Sequence, residues 1–200
     1  MSGDAKSDHI VNYEKLPSPG RPVQDAPVAP GRVALEPARG GVGARRLLES
    51  RADFDASVVE LLALARRELR IFDPDLAEYG FNTAAAEQRL QDFLAASRDS
   101  RLMIAVHDTA YITQFCPRLM RLLRQFSHAI AIHQTHDAIR NVDDVLIVAD
   151  DAHYLRRPHH EQPKGVVVLH DPAETRGWLN RFEEIWEQSS PAVSATTIGL

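Results

Sequence analysis

Between Asp53 and Trp186, stretches with the 3.6-residue period of an amphipathic helix alternate with short apolar runs, which restricts the chain to an α/β architecture. In Asp53–Leu69, Phe54, Val58, Leu61, Leu62, Ala65 and Leu69 share one face, which predicts a first helix. Arg70–Phe72 reads as a short strand stopped by Asp73-Pro74-Asp75, because proline cannot donate to a ladder. Thr83–Ser97 reads as a second helix and Arg101–Val106 as a buried strand. Pro117 suits the first turn of a third helix whose inner face is Leu119, Met120, Leu122, Leu123 and Phe126. Strands follow at Ala129–Thr135, Val145–Val148, Tyr154–Leu155 and Val166–His170. A last helix starts with Asp171 as N-cap, Pro172 at the first position and Glu174 at the third, a capping-box pattern, and is ended by Pro191. The early alternation predicts parallel strands with covering helices, and the short later connections predict antiparallel additions. The expected fold class is α/β, with a mixed, mainly parallel sheet covered by helices.

Residues 1–43 differ in kind. They hold six of the twelve prolines and six of the ten glycines, and their apolar residues show no period. Such a segment buries too little surface to offset the entropy of ordering it, so it is expected to be disordered, with the folded domain spanning residues 44–200. Within it, Arg32–Leu35 is a stretch that can pin onto the domain.

A formal charge of −5 argues against nucleic acid as a partner held by bulk charge. No apolar signal core or run of about 18 apolar residues is present, so neither secretion by a standard signal nor membrane spanning is expected. The single cysteine, Cys116, rules out an internal disulfide and a cysteine-based zinc site, and suits a reducing cytoplasm. No phosphate-binding glycine loop, nucleophile elbow or dinucleotide fingerprint occurs, and no cofactor is expected.

The order of elements, together with Ala65–Phe72, Val145–Asp150, Gly165–His170 and the closing Arg181-Phe-Glu-Glu-Ile-Trp186, resembles one repeat of the phospholipase D superfamily. Leu102–Asp108, Tyr154–Pro158 with His160, and Ile198-Gly-Leu200 more closely resemble a bacterial domain family of unknown activity, sometimes fused to GNAT-type N-acetyltransferases. That resemblance implies an accessory role, with an acetyltransferase as one possible partner. The superfamily resemblance implies a His-x-Lys-x4-Asp motif, in which one histidine attacks phosphorus and the lysine offsets phosphate charge. Here Asp150 at the last position puts Asp143 and Val145 at the first two, and Asp151 puts Asp144 and Leu146 there. Neither register supplies a nucleophile or a cation, and Asp137, Asp143, Asp144, Asp150 and Asp151 repel a phosphodiester. The downstream Asn-x-Glu of the superfamily is also missing. A single repeat would in any case need a homodimer to complete one active site.

Other constellations are open to two readings. His133 and His136 with one of Asp137 or Asp143 carry metal-ligand chemistry, but a strand sends positions i and i+3 to opposite faces, so no metal is assigned. His107-Asp108 ends a strand, where ligands of open α/β sheets bind, and is equally a buried histidine bonded to a loop. His159-His160-Glu161, with Arg156, Arg157 and Lys164 close by, reads as an anion or acid–base loop, or as an ordinary polar one. Arg118, Arg121 and Arg124 form a basic stripe that also fits a solvated helix face, as do Arg66, Arg67 and Arg70. Cys116 sits at a helix start, where a thiol pKa can fall, though a buried structural role suits it better. The candidate ligand-binding residues are therefore His107, Asp108, His136, Arg157 and His160. A non-catalytic binding or accessory domain is expected, the alternative being an enzyme with a remodelled histidine site at the sheet edge.

Overall fold

The computed structural model describes residues 36–37 and 43–194. Their strands form one mixed sheet. In chain order these are β1 (Glu36–Pro37), β2 (Ala44–Leu48), β3 (Glu68–Asp73), β4 (Arg101–Val106), β5 (Ile130–Thr135), β6 (Val145–Ala149), β7 (His153–Arg157), β8 (Gly165–Leu169) and β9 (Ser189–Val193). Their order across the sheet is β1-β2-β8-β7-β6-β3-β4-β5-β9. The helices are α1 (Arg51–Leu64), α2 (Ala84–Ala96), α3 (Ala110–Phe115), α4 (Pro117–Gln125) and α5 (Pro172–Glu187). Among the described residues, no helix is long and apolar enough to cross a membrane.

The sheet is mixed and helix-covered, as expected, but it is not mainly parallel. Only β3–β4 and β4–β5 pair in parallel, and the other pairings are antiparallel. The reason lies in the connections. Parallel neighbours need a long crossover, which α2 and the α3–α4 pair supply, whereas the tight turn between β6 and β7 and the short loop between β7 and β8 suit antiparallel pairing.

Two cores result. The larger packs α1, α2, α3 and α4 on one face through Phe54, Leu61, Leu90, Phe93, Ile112, Leu119 and Leu122 against Leu69, Ile71, Leu102, Ile104 and Ile147. The smaller lies under α5, where Phe182 and Ile185 cover Phe72, Ala105, Leu146, Val148 and Tyr154. All five residues of β6 are buried, as expected for a strand covered on both faces.

The first helix ends at Leu64 rather than Leu69 because the backbone N–H groups of Arg66, Arg67 and Glu68 all donate to the Asp150 carboxylate, at 3.0, 2.8 and 3.0 Å. Those residues leave the helix and start a six-residue β3, twice the predicted length. The helix also starts earlier, on a reciprocal capping box between Ser50 and Asp53. At α5, Asp171 caps the Glu174 N–H at 2.9 Å, but the reciprocal half is missing. The Glu174 carboxylate instead accepts from the Tyr154 hydroxyl at 2.6 Å and pairs with Arg45 of β2. β2, α3 and β9 went unpredicted. β9 carries Pro191, which an edge strand with a bulge tolerates. Most of the segment expected to be disordered lies outside the described residues, as do Arg32–Leu35 and Ile198-Gly-Leu200. Within that segment, Glu36–Pro37 pair with Arg45 and Ala44.

At the start of β7, His153 is buried, and its Nδ1 accepts the N–H of His170 at 3.0 Å, so its proton sits on Nε2. Burial, with His170 beside it, holds the His153 pKa below the ordinary 6.5, against the opposing pull of Asp150, Asp151 and Glu60. A native state that prefers the neutral ring keeps this contribution above the ordinary pKa. It loses the contribution as pH falls toward the lowered one. Thermal melts between about pH 7 and about pH 5 will therefore show a smaller acid-induced fall in Tm for His153→Gln than for the wild type. Parallel curves for the two proteins would refute this.

Candidate functional site

The loops that follow β3, β4 and β5, the approach to β6 and the β7–β8 loop meet at one edge of the sheet, and all five candidate residues lie there. They are not equally available. His107 is buried, and both ring nitrogens are engaged: Nε2–H donates to the Val142 carbonyl at 2.7 Å, and Nδ1 accepts from the Thr135 hydroxyl at 2.5 Å. Phe72 meets the ring edge-on. This is a histidine that ties β4 and β5 to the strand-approach loop, the structural one of its two sequence readings. Asp108 is exposed, and its carboxylate accepts the Ala110 N–H at 2.7 Å.

His136 is exposed and bonds the Ser190 hydroxyl at 2.8 Å, whereas His133 stacks on Trp186 at 3.7 Å and bonds Ser189 at 3.1 Å. The two imidazoles are held by neighbouring serines of β9 and do not share a centre. Among the described residues, no group of three or more His, Cys, Asp or Glu side chains is disposed to hold a metal ion.

Arg157 is buried, with 2% of its surface exposed. Its guanidinium pairs with Glu78, donates to the Gln162 carbonyl at 2.8 Å and to the His160 carbonyl, and lies 4.6 Å from the Phe54 ring centre. Gly165 makes room for it, since a Cβ there would sit 2.8 Å from Arg157 Cγ and 2.5 Å from the Arg156 carbonyl oxygen. Arg157 thus shapes the β7–β8 loop from inside.

The loop so held presents His160. Its Nδ1 bonds the Asp143 carboxylate, and its backbone N–H donates to the Asp143 carbonyl at 3.1 Å. The His159 ring stands 3.6 Å from the other Asp143 oxygen. His160 is partly exposed, and among the described residues no hydrogen-bond partner is found for its Nε2. Of the candidates, His160 alone combines a partly exposed ring with a carboxylate bonded to it, and Asp143, which falls at the first position of the aligned motif, is the partner. Nearby, burial pushes the Asp73 carboxyl above its usual range, and that carboxylate closes the turn by accepting from the Asp75 and Leu76 N–H groups at 3.0 and 2.6 Å.

At the positions aligned with the superfamily motif, Asp143 faces His160, while Val145 and Leu146 are buried in the two cores. Asp144 pairs with Arg156 at 3.2 Å. Asp150, at a positive φ of 54°, serves the backbone of residues 66–68.

Elsewhere, Arg118 and Arg121 share Glu87 of α2, and so staple two helices rather than forming a free basic stripe. Cys116 is buried, and its thiol is pushed up to about 11, the reverse of an activated thiol. At the opposite sheet edge, a polar groove of about 520 Å³ lies beside Leu179 of α5. Arg67, Arg70 and Arg101 line it together with Glu68, Asp99 and Asp151, and Arg70 pairs with Glu68.

Residues 50–196 match the model of a family described as a domain of unknown function, DUF7931. No curated protein matches the chain by sequence. Solved structures share its fold. TrmBL2, an archaeal chromatin protein with a novel mode of DNA binding, superposes with a TM-score of 0.55 at 10% identity, over 74% of this chain and 54% of its own. The chain thus spans about half the length of that protein. Nuc from Salmonella typhimurium, a phospholipase D family member, gives 0.54 at 12% identity, over 76% of this chain and 99% of its own. NucT from Helicobacter pylori gives 0.50 at 11%, over 75% and 99%. At these identities the likeness is one of fold.

Replacing Arg157 by Met removes a buried cation and strands the Gln162 and His160 carbonyls. Urea denaturation should show a loss of about 2 kcal/mol or more. A loss below about 0.5 kcal/mol, within the range of surface changes, would mean that the loop does not depend on this side chain.

Proposed function

The chain belongs to the DUF7931 family, and we propose that in it a phospholipase D-like fold serves as a non-catalytic binding or accessory domain. One observation carries the reading: the positions aligned with an attacking imidazole and a phosphate-binding ammonium hold a carboxylate, Asp143, and a fully buried Val145. Phosphodiester cleavage by that route needs a nucleophile and a cationic clamp. A carboxylate in the first place and an alkyl group in the second provide neither. Asp108 and Asp143 add negative charge along the same edge and oppose an anionic substrate, while Asp137 and Asp144 are paired with Arg140 and Arg156. On this reading the domain works in the cytoplasm, contacting a protein partner through the sheet edge, and an N-acetyltransferase is the partner to test first. Incubation with bis(p-nitrophenyl) phosphate should release no nitrophenol above buffer. Turnover that disappears in Asp143→Ala would overturn the reading.

A second reading has a specific observation in its favour. The Asp143 carboxylate engages His160 through Nδ1 and leaves Nε2 without a hydrogen-bond partner among the described residues, an arrangement suited to a general base. It makes the domain an enzyme with a remodelled histidine site, acting on a substrate other than a phosphodiester. General-base assistance of this kind contributes about 10²–10⁴-fold. The check is p-nitrophenyl acetate hydrolysis. The second reading requires turnover at least about 10²-fold above buffer, removed by His160→Ala and reduced by Asp143→Asn. Equal rates for wild type and His160→Ala dispose of it.

A further inference from the structure

One surface of the domain combines exposed aromatic area with uncompensated negative charge. On the short helix α3, Phe115 is 55% exposed, and its ring centre lies 5.4 Å from that of Tyr111 at a tilt of 38°. Phe115 faces outward beside Tyr111, which is partly buried against the larger core, so the pair is an aromatic shelf with one exposed ring.

Two turns flank the shelf. The Pro74 carbonyl accepts the N–H groups of both His107 and Asp108, at 2.9 and 3.0 Å, which locks the turn after β3 to the turn after β4. Asp75 and Asp108 project from these turns. Each carboxylate accepts a local backbone N–H, from Ala77 at 2.9 Å and from Ala110 at 2.7 Å, and is thereby fixed in place. Among the described residues, neither has an ion-pair partner, in contrast to the carboxylates of Asp55, Glu60, Glu78, Glu87 and Asp144. Of the cations near the shelf along the chain, Arg70 pairs with Glu68, and Arg118 and Arg121 of α4 are turned to Glu87. Burial pushes the Tyr111 hydroxyl pKa up, with Cys116 and Asp75 acting in the same direction.

We propose that Tyr111, Phe115, Asp75 and Asp108 form a docking surface for an arginine-bearing amphipathic segment of a partner protein. Charge complementarity selects the occupant. A guanidinium stacks on an aromatic face and presents a planar fork to a carboxylate, so a single arginine uses both halves of this surface. Apolar residues flanking it cover the rest of Phe115, and aromatic and arginine contacts are those that dominate protein interfaces. A nucleic acid or an anionic membrane meets the wrong charge. The proposal rests on the binding-domain reading and names the chemistry of its partner.

The test uses the full chain and a fluorescein-labelled amphipathic peptide of arginine, leucine and alanine, followed by fluorescence anisotropy at about 0.15 M salt. Binding should weaken about tenfold or more in Phe115→Ser and, separately, in the Asp75→Asn/Asp108→Asn double variant. Asparagine keeps the acceptor that closes each turn while removing its charge, and unchanged melting temperatures will show that both variants fold. A peptide with lysine for arginine should bind more weakly, and one with serine for leucine should lose most of its affinity. Absence of binding overturns the proposal. So does binding that neither variant weakens, or equal binding of the serine peptide, which would reduce the interaction to bulk charge. Phosphodiester or ester turnover would defeat the binding-domain reading while leaving these binding results unaffected.

Discussion

A single carboxylate organises the centre of this sheet. Asp150 sits in the turn between β6 and β7 and gathers the N–H groups of Arg66, Arg67 and Glu68. Those three donors belong to the chain just past α1, where an ended helix gives way to a strand. Charge-assisted bonds to backbone donors are strong, and here one carboxylate takes three of them. The contact therefore fixes three things at once: where α1 stops, where β3 starts, and how the β6–β7 turn is held against them. With that turn in place, Val145 pairs with Arg157 and Ala149 with His153. Continued past the strand ends, the same register brings Asp143 alongside His159 and His160. The candidate site at one edge of the sheet is thus positioned by a carboxylate at the other.

The edge where the candidates meet separates into interior and surface roles. His107 and Arg157 look functional by residue type, but each has its donors and acceptors met within the protein. They hold, respectively, the approach to β6 and the β7–β8 loop. His160 and Asp143 are what those two loops present. A fold shared with phospholipase D-like proteins does not bring their chemistry with it, since function lives in the site rather than in the scaffold.

Much of the fold was legible because its signals are local. Apolar runs bounded by polar turns located β4, β5, β6 and β8, and proline at a helix start located α4 and α5. The misses have physical causes. The periodic face from Phe54 to Leu69 continues past the helix end because Leu69 is also an inward strand residue, so helix and strand periods agree there by coincidence. β9 escaped because Pro191 reads as a breaker and is tolerated only at an edge. The predominance of parallel pairing was overestimated because strand direction depends on which neighbours meet in space. The Asp143–His160 pair was within reach of the sequence. Residues equidistant from a tight hairpin turn lie opposite one another, and the Asp150-Asp151-Ala152 turn would have placed Asp143 opposite His159, one residue from His160.

The sequence by itself determined the alternation of helix and strand, the cap and proline at the start of α5, and the lack of a histidine–lysine pair at the aligned motif. These depend on residue identity and spacing along the chain, which folding does not change. Tertiary structure decided which charged groups became architecture and which stayed available. Arg157 is interior because Glu78, Phe54 and the loop carbonyls surround it, and Arg118 and Arg121 are neutralised by a helix some thirty residues earlier in the chain. The fate of a charge depends on partners and burial, which are properties of three-dimensional neighbours, and no local pattern encodes them.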